Sequence, residues 1–284
     1  MATHSPRRFL AKLTVFFAVL SLAGCATSNP SKGPSIDRAA FHPNINTFVL
    51  PLDSYLVSAI DNQYARNIVY VQCMSTHGYS VPLENPHNFL APANNSEQGV
   101  EFNVNLARHY GYHTGPVRGG PTMPLPSSLS GNELRAADAC GKTAQQKIGE
   151  DDQLDNWVRG LASGADDATM ADPAYKAAVA RWRKCMLPLG LPDLASDPTQ
   201  MPSPSQRRRF FTGGDLPTSP AEIRQAVFDA RCRETSGYAV TYYRTEIKHQ
   251  WQLMDGNVIQ LGQALDAKNR ATANIRRILQ QHGN

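Results

Sequence analysis

Several features are scarce in this 284-residue chain. No stretch alternates apolar and polar residues for long with Val, Ile or Thr, which excludes an architecture built on sheets. No apolar run reaches the ~20 residues that carry a helix across a bilayer; the most apolar, 13–22, is about half that and is interrupted only by Thr14 and Ser21. A surplus of positive charge is also missing. The whole chain carries +4, but Arg7, Arg8 and Lys12 account for three of those charges, and without the first 24 residues 25 basic side chains face 24 acidic ones. A phosphate-binding footprint is therefore absent, and nucleic acid is not an expected partner.

The short apolar run has a purpose of its own. It follows a basic, acid-free start and ends in Leu22-Ala23-Gly24-Cys25, the order of a secretory leader with small residues at its cleavage point. These four residues resemble the bacterial lipobox, which implies diacylglycerol on the Cys25 sulfur, cleavage before it, and acylation of the new amine. Two or more acyl chains hold a protein stably on a membrane where one does not, so a lipidated Cys25 replaces the missing span. Arg7-Arg8-Phe9 lacks the residue that separates arginines from Phe in a twin-arginine leader, and the Sec route is expected. The boundaries follow: leader 1–24, flexible tether 25–50 rich in Pro and small polar residues, then two helical halves, 51–163 and 164–284.

Cysteine is sparse but even in number once Cys25 is set aside: Cys73, Cys140, Cys185 and Cys232. In an exported chain this points to two disulfides. A duplicated pattern orders them. "YVQCMSTHGYSVP" (70–82) and "WRKCMLPLGLP" (182–192) share C-M-x-x-x-G, and each is followed by Ser-x-x-Glu and a second cysteine, in "SGNELRAADAC" (130–140) and "SPAEIRQAVFDARC" (219–232). Each half reads as a helix stopped by the glycine of C-M-x-x-x-G, a long loop, and a helix started by a capping box, Ser130 with Glu133 and Ser219 with Glu222. Of the three pairings open to four cysteines, Cys73–Cys140 with Cys185–Cys232 makes the same bridge twice and is the one expected.

Helical spacing is read over 52–75, from Asp172 and Pro173 into the second C-M, over 133–162, and over 220–281, where Ile247, Trp251, Met254, Val258, Leu261 and Leu265 form a heptad-like stripe. The fold class expected is mainly α: a disulfide-stapled helical bundle of two pseudo-repeats with a long C-terminal helix.

Taken with "ARHYGYH" and "VTYYRTEIKHQWQ", these segments resemble a group of secreted lipoproteins, chiefly actinobacterial, over roughly residues 52–260. The resemblance implies export, bridges and helices, and no activity. Pro188 inside the second C-M-x-x-x-G departs from the group's pattern.

Catalytic sets are thin. His109 and His113 are four apart, but Tyr110 stands where a zinc protease needs Glu and Gly111 interrupts the helix. His77 has Leu189 as its counterpart. Gly78-x-Ser80 and "GLASG" (160–164) both miss the nucleophile elbow. Asp151-Asp152 and Asp166-Asp167 lack a calcium-loop spacing and read as helix-terminal charge. No cofactor, metal or catalytic residue is expected. Arg207, Arg208 and Arg209, read as part of a Pro-rich loop, are the candidate surface contact, for anionic headgroups or an acidic polymer. The expected role is a binding or scaffolding module of the bacterial cell envelope, lipid-anchored on the extracytoplasmic face, with an envelope protein as partner. The alternative is an envelope hydrolase or small-ligand-binding lipoprotein with its site in loops 83–130 and 187–218, where His87, His109 and His113 would gather.

Overall fold

A computed structural model describes residues 36, 38–45, 48–83, 102–113, 130–211 and 218–283. Among these, nine α-helices and no strands are found: α1 Ala59–Thr76, α2 Val104–Tyr110, α3 Gly131–Ile148, α4 Asp152–Ala171, α5 Pro173–Met186, α6 Pro204–Phe210, α7 Pro220–Ser236, α8 Tyr238–Asp255 and α9 Val258–His282. The expected disulfide-stapled helical bundle is what forms. All described residues fall in one compact unit, Pro34–Asn284, and position 163/164 lies inside the continuous helix α4.

Both bridges are the expected ones. Cys73–Cys140 ties α1 to α3 and Cys185–Cys232 ties α5 to α7, with Cα–Cα distances of 5.5 and 5.6 Å. The duplicated glycines do the same work twice. Gly78 (φ 82°) and Gly190 (φ 60°) take the left-handed conformation just past their helix ends, a region where a Cβ is costly. Beyond the bridges, α1 packs on α3 and α9, α4 on α8, and α7 on α2 and α5.

Several boundaries differ from the spacing, each for a local reason. The first helix does not start at 52. Residues Pro51–Tyr55 form a 3₁₀ turn that buries Leu52 beside Val158, Met254 and Leu261, and α1 begins only where Ser58 Oγ accepts from Asp61 N. The stretch 133–162 is two helices. Gly149 closes α3, Asn274 donates to the last carbonyl of α3, Ile148 O (3.0 Å), and Asp151 caps α4 by accepting from Gln153 N and Leu154 N. The stretch 220–281 is three helices, broken at Gly237 and at Gly256-Asn257. Of its stripe, Met254 and Leu261 are buried, whereas Leu265 is 37% exposed. The buried face of α9 instead runs through Leu261, Ala264, Ala267, Ala271 and Ile275, so small residues let neighbouring helices close in. At Pro188, α5 ends in a 3₁₀ turn, Leu187–Leu189.

The segment expected as a tether also departs from expectation. Its described residues 38–45 and 48–50 lie along α8: Phe48 packs on Tyr242 and Tyr243, Tyr243 Oη accepts from Asn44 N and donates to Val49 O (both 2.7 Å), and Phe41 meets Trp251 edge-on. Aromatic pairing and the two hydrogen bonds of Tyr243 hold in place a segment that composition alone reads as loose.

Candidate functional site: a polar cleft in the first half

The residues singled out in the sequence do not converge. Cys25, His87 and, of the stretch 83–130 expected as a loop, residues 84–101 and 114–129 lie outside the described residues, and the described part of that stretch contains helix α2. Arg207, Arg208 and Arg209 sit on helix α6, not in a loop, because Ser203 caps it and Pro204 opens it. Arg207 is tied down, its guanidinium donating to Pro202 O (2.9 Å) and Gln200 O (3.3 Å), and Arg209 lies over the Phe210 ring. All three are exposed. His109 and His113 part company at Gly111: His109 turns back to Asn105 O, whereas His113 reaches Glu222 and stacks on Phe211. The His77 ring lies beside Cys73 and Cys140, but those sulfurs are bonded to each other and offer no thiolate.

Buried polar groups are instead knitted into the core. Around α7, Arg233 forms a bidentate pair with Asp229 (3.0 Å on each carboxylate oxygen), donates to Pro198 O (2.7 Å) and lies 4.7 Å from the Phe102 ring centre. Trp182 Nε1 donates to Asp229 (2.8 Å). Burial, followed by the Asp229 charge, holds the Tyr112 phenol protonated. Along α8, Tyr242 donates to Asp166, and Tyr175 donates to Asp197 and stands 3.4 Å from Tyr238. Burial raises all three phenols and raises Asp166 as well. Asp166 is thus a half-buried acceptor within α4, not a solvated helix end. A satisfied buried network of this kind specifies packing.

One arrangement has room for a guest. A cleft of about 370 Å³ opens between α1 and α3, reaching the α3–α4 turn and Arg159 of α4. Its polar wall is a braced triad. Glu150 accepts from Arg66 Nη2 (2.7 Å) and Asn62 Nδ2 (2.8 Å), and Arg66 Nε donates to Asn62 Oδ1 (3.0 Å). Arg159 is likewise paired, with Asp155 (2.7 Å). Asn67 and Gln63 add amides and Tyr70 an aromatic ring, while Gly141 and Ala144 leave the opposite side open. A Cβ built at Gly141 meets nothing within 4 Å. The volume falls in the ~300–1,000 Å³ range of small-molecule sites. Neutralised charges and amides can hydrogen-bond a polar guest; the paired Glu150 is poorly placed to act as a free base.

No family model, no curated protein and no solved structure matches the chain. Sequence reading missed this cleft because Glu150 lies 88 and 84 residues from its partners Asn62 and Arg66 on α1. The polar residues at 62, 63, 66 and 67, two neighbouring pairs about one helical turn apart, were the available signal.

Proposed function

We propose that the protein is a lipid-anchored, extracytoplasmic binding module of the bacterial cell envelope, held through Cys25, and that the cleft between α1 and α3 takes a small ligand rich in hydroxyl and amide groups, the chemistry of envelope amino sugars. The observation that carries the binding half is the open cleft lined by Asn62, Arg66, Asn67, Tyr70 and Glu150. Hydrogen-bonding groups on a disulfide-stapled scaffold are pre-organised, which lowers the cost of ordering on binding. The anchoring half rests on the leader ending at Cys25, with the two bridges in keeping with an oxidising compartment. Exposed Arg208 and Arg209 supply a cationic patch that suits an anionic headgroup layer.

Two measurements test this reading. Cells fed an alkyne fatty acid should label the wild-type chain and not Cys25→Ser, with the variant leaving the membrane fraction; equal labelling of both removes the anchor. Soluble amino-sugar fragments titrated into the protein should shift amide resonances along α1 and α3. Gly141→Phe, whose ring enters the cleft, should weaken that binding at least tenfold while Gly141→Ala does not. Binding that ignores the phenylalanine places the ligand elsewhere.

A further inference from the structure

A second and larger cavity, about 550 Å³, lies where the segment leading from Cys25 crosses α8 and α9. Its walls are of a different kind from those of the cleft. Ile36, Phe41, Leu50, Trp251 and Met254 give it apolar walls, and Asp53, His42 and Tyr55 are its titratable members. The segment is fastened on both flanks: Arg38 pairs with Asp255 and lies 5.1 Å from the Trp251 ring centre, and the bridged residues Asn44 and Val49 are both hydrogen-bonded to Tyr243. The roof is thus held over the hollow instead of collapsing into it.

We propose that this cavity binds the aliphatic chain of a neutral single-chain lipid drawn from the bilayer. Apolar lining of this extent takes up hydrocarbon at about 25 cal/mol per Å² buried, and the volume suits one chain, not a folded partner. Charge selects the head. Asp53 faces the cavity with its carboxylate accepting from Leu50 N (2.7 Å), and Arg38 is committed to Asp255, so a fatty-acid carboxylate meets repulsion where an alcohol or glyceride does not. Supply rests on the anchoring proposed above. Ten residues, 26–35, separate Cys25 from Ile36, and at ~3.5 Å per residue they hold the cavity within about 35 Å of the bilayer.

The test uses the chain from residue 25 with Cys25→Ser, which contains every described residue and needs no lipid to be made. Calorimetric titration with dodecanol below its solubility limit should give saturable one-to-one binding, with dodecanoate at pH 8 at least tenfold weaker. Asp53→Asn should narrow that gap. Leu265→Asp, on a half-exposed wall, and Ala40→Trp, which fills the hollow from an exposed position, should each weaken dodecanol binding at least tenfold with an unchanged melting midpoint. Absence of saturable binding, or binding indifferent to both wall variants, overturns the site whether or not Cys25 is lipidated. The lipidated protein should bind dodecanol as the Cys25→Ser chain does. If lipidation abolishes binding, the protein's own acyl chain is the occupant and the bilayer source is overturned.

Discussion

Counted from their bridged cysteines, the two stapled halves put different residues in the same places. Three positions before the first cysteine stand Tyr70 in one half and Trp182 in the other. Three before the second stand Ala137 and Asp229, and one after it Gly141 and Arg233. In the second half Asp229 and Arg233 fill the space beside Trp182 with a buried ion pair; in the first half Gly141 faces the open cleft beside Tyr70. Seven before the first cysteine the contrast reverses, with Arg66 lining the cleft and Ala178 fully buried. One half has made its core polar and closed, and the other has moved its polar groups to the rim of a hollow. The bridge is the shared scaffold, and what it frames decides whether a half is structural or receptive.

The largest break in this comparison is Asp229→Ala. It strands the Arg233 guanidinium, 3% exposed, and takes the acceptor from Trp182 Nε1. Removing one partner of a buried pair costs about 3–5 kcal/mol, a large share of the ~5–15 kcal/mol by which domains hold together. Urea denaturation should show it as a fall in midpoint with little change in slope. No substitution at Ala137, its counterpart packed against Tyr70, Met74 and Cys140, removes a pair of this kind.

The capping residues sharpen the same contrast at smaller scale. Glu133 completes the expected capping box, reaching back to Ser130 N at 3.5 Å. Glu222 receives its cap from Ser219 but spends its carboxylate on Tyr112 N (2.9 Å) and His113 (3.3 Å), drawing α2 onto α7. Gly111 makes that approach feasible, since a Cβ there would stand 2.5 Å from Glu222 Oε1. Glu222→Ala should therefore cost about 1–3 kcal/mol, the scale of a hydrogen bond to a charged acceptor, and release α2 to hydrogen exchange. Glu133→Ala should cost under about 1 kcal/mol.

These differences also mark how far the sequence could be read. Helix starts and stops with chemical punctuation were legible: Ser130 with Glu133, Asp172 with Pro173, and the glycines of C-M-x-x-x-G all act as read. So were both bridges, because duplication narrowed three pairings to one. The break at Gly149 carries an equally plain signal, a glycine followed by capping Asp151, but helical spacing continues across it and masks the stop. Glu222 looked like Glu133 and behaves differently because Tyr112, 110 residues away, competes for its oxygens. The cleft was illegible for the same reason: a hollow is a relation between helices, and no single helix's periodicity records it.

The seam between α4 and α8 offers a pH test. Glu246, 1% exposed, accepts from Thr169 Oγ1 (2.8 Å) and Gln250 Nε2 (2.9 Å). Burial nonetheless wins over these bonds and raises its pKa above the ordinary carboxylate value, with nearby Asp166 adding to the rise and His249 opposing it. A raised folded pKa means that this group's stabilising contribution is fully present below the ordinary value of 4.5 and is lost as pH rises through the folded one. Glu246→Gln should remove that component, so melting midpoints of wild type and variant should diverge in the variant's favour as pH rises from 4.5 to 7. Parallel curves would show that Glu246 does not carry the dependence.

Gly141→Ala should have the smallest effect and the opposite sign to Asp229→Ala. Glycine inside a helix costs roughly 1 kcal/mol relative to alanine, mainly through backbone freedom in the unfolded chain. Gly141 lies within α3, and a methyl group there meets nothing within 4 Å. Alanine should therefore raise the urea midpoint by the equivalent of about 0.5–1 kcal/mol while leaving the cleft open. A loss of stability would mean that the space beside Tyr70 is occupied in the folded protein, and the contrast between a filled half and a hollow one would go with it.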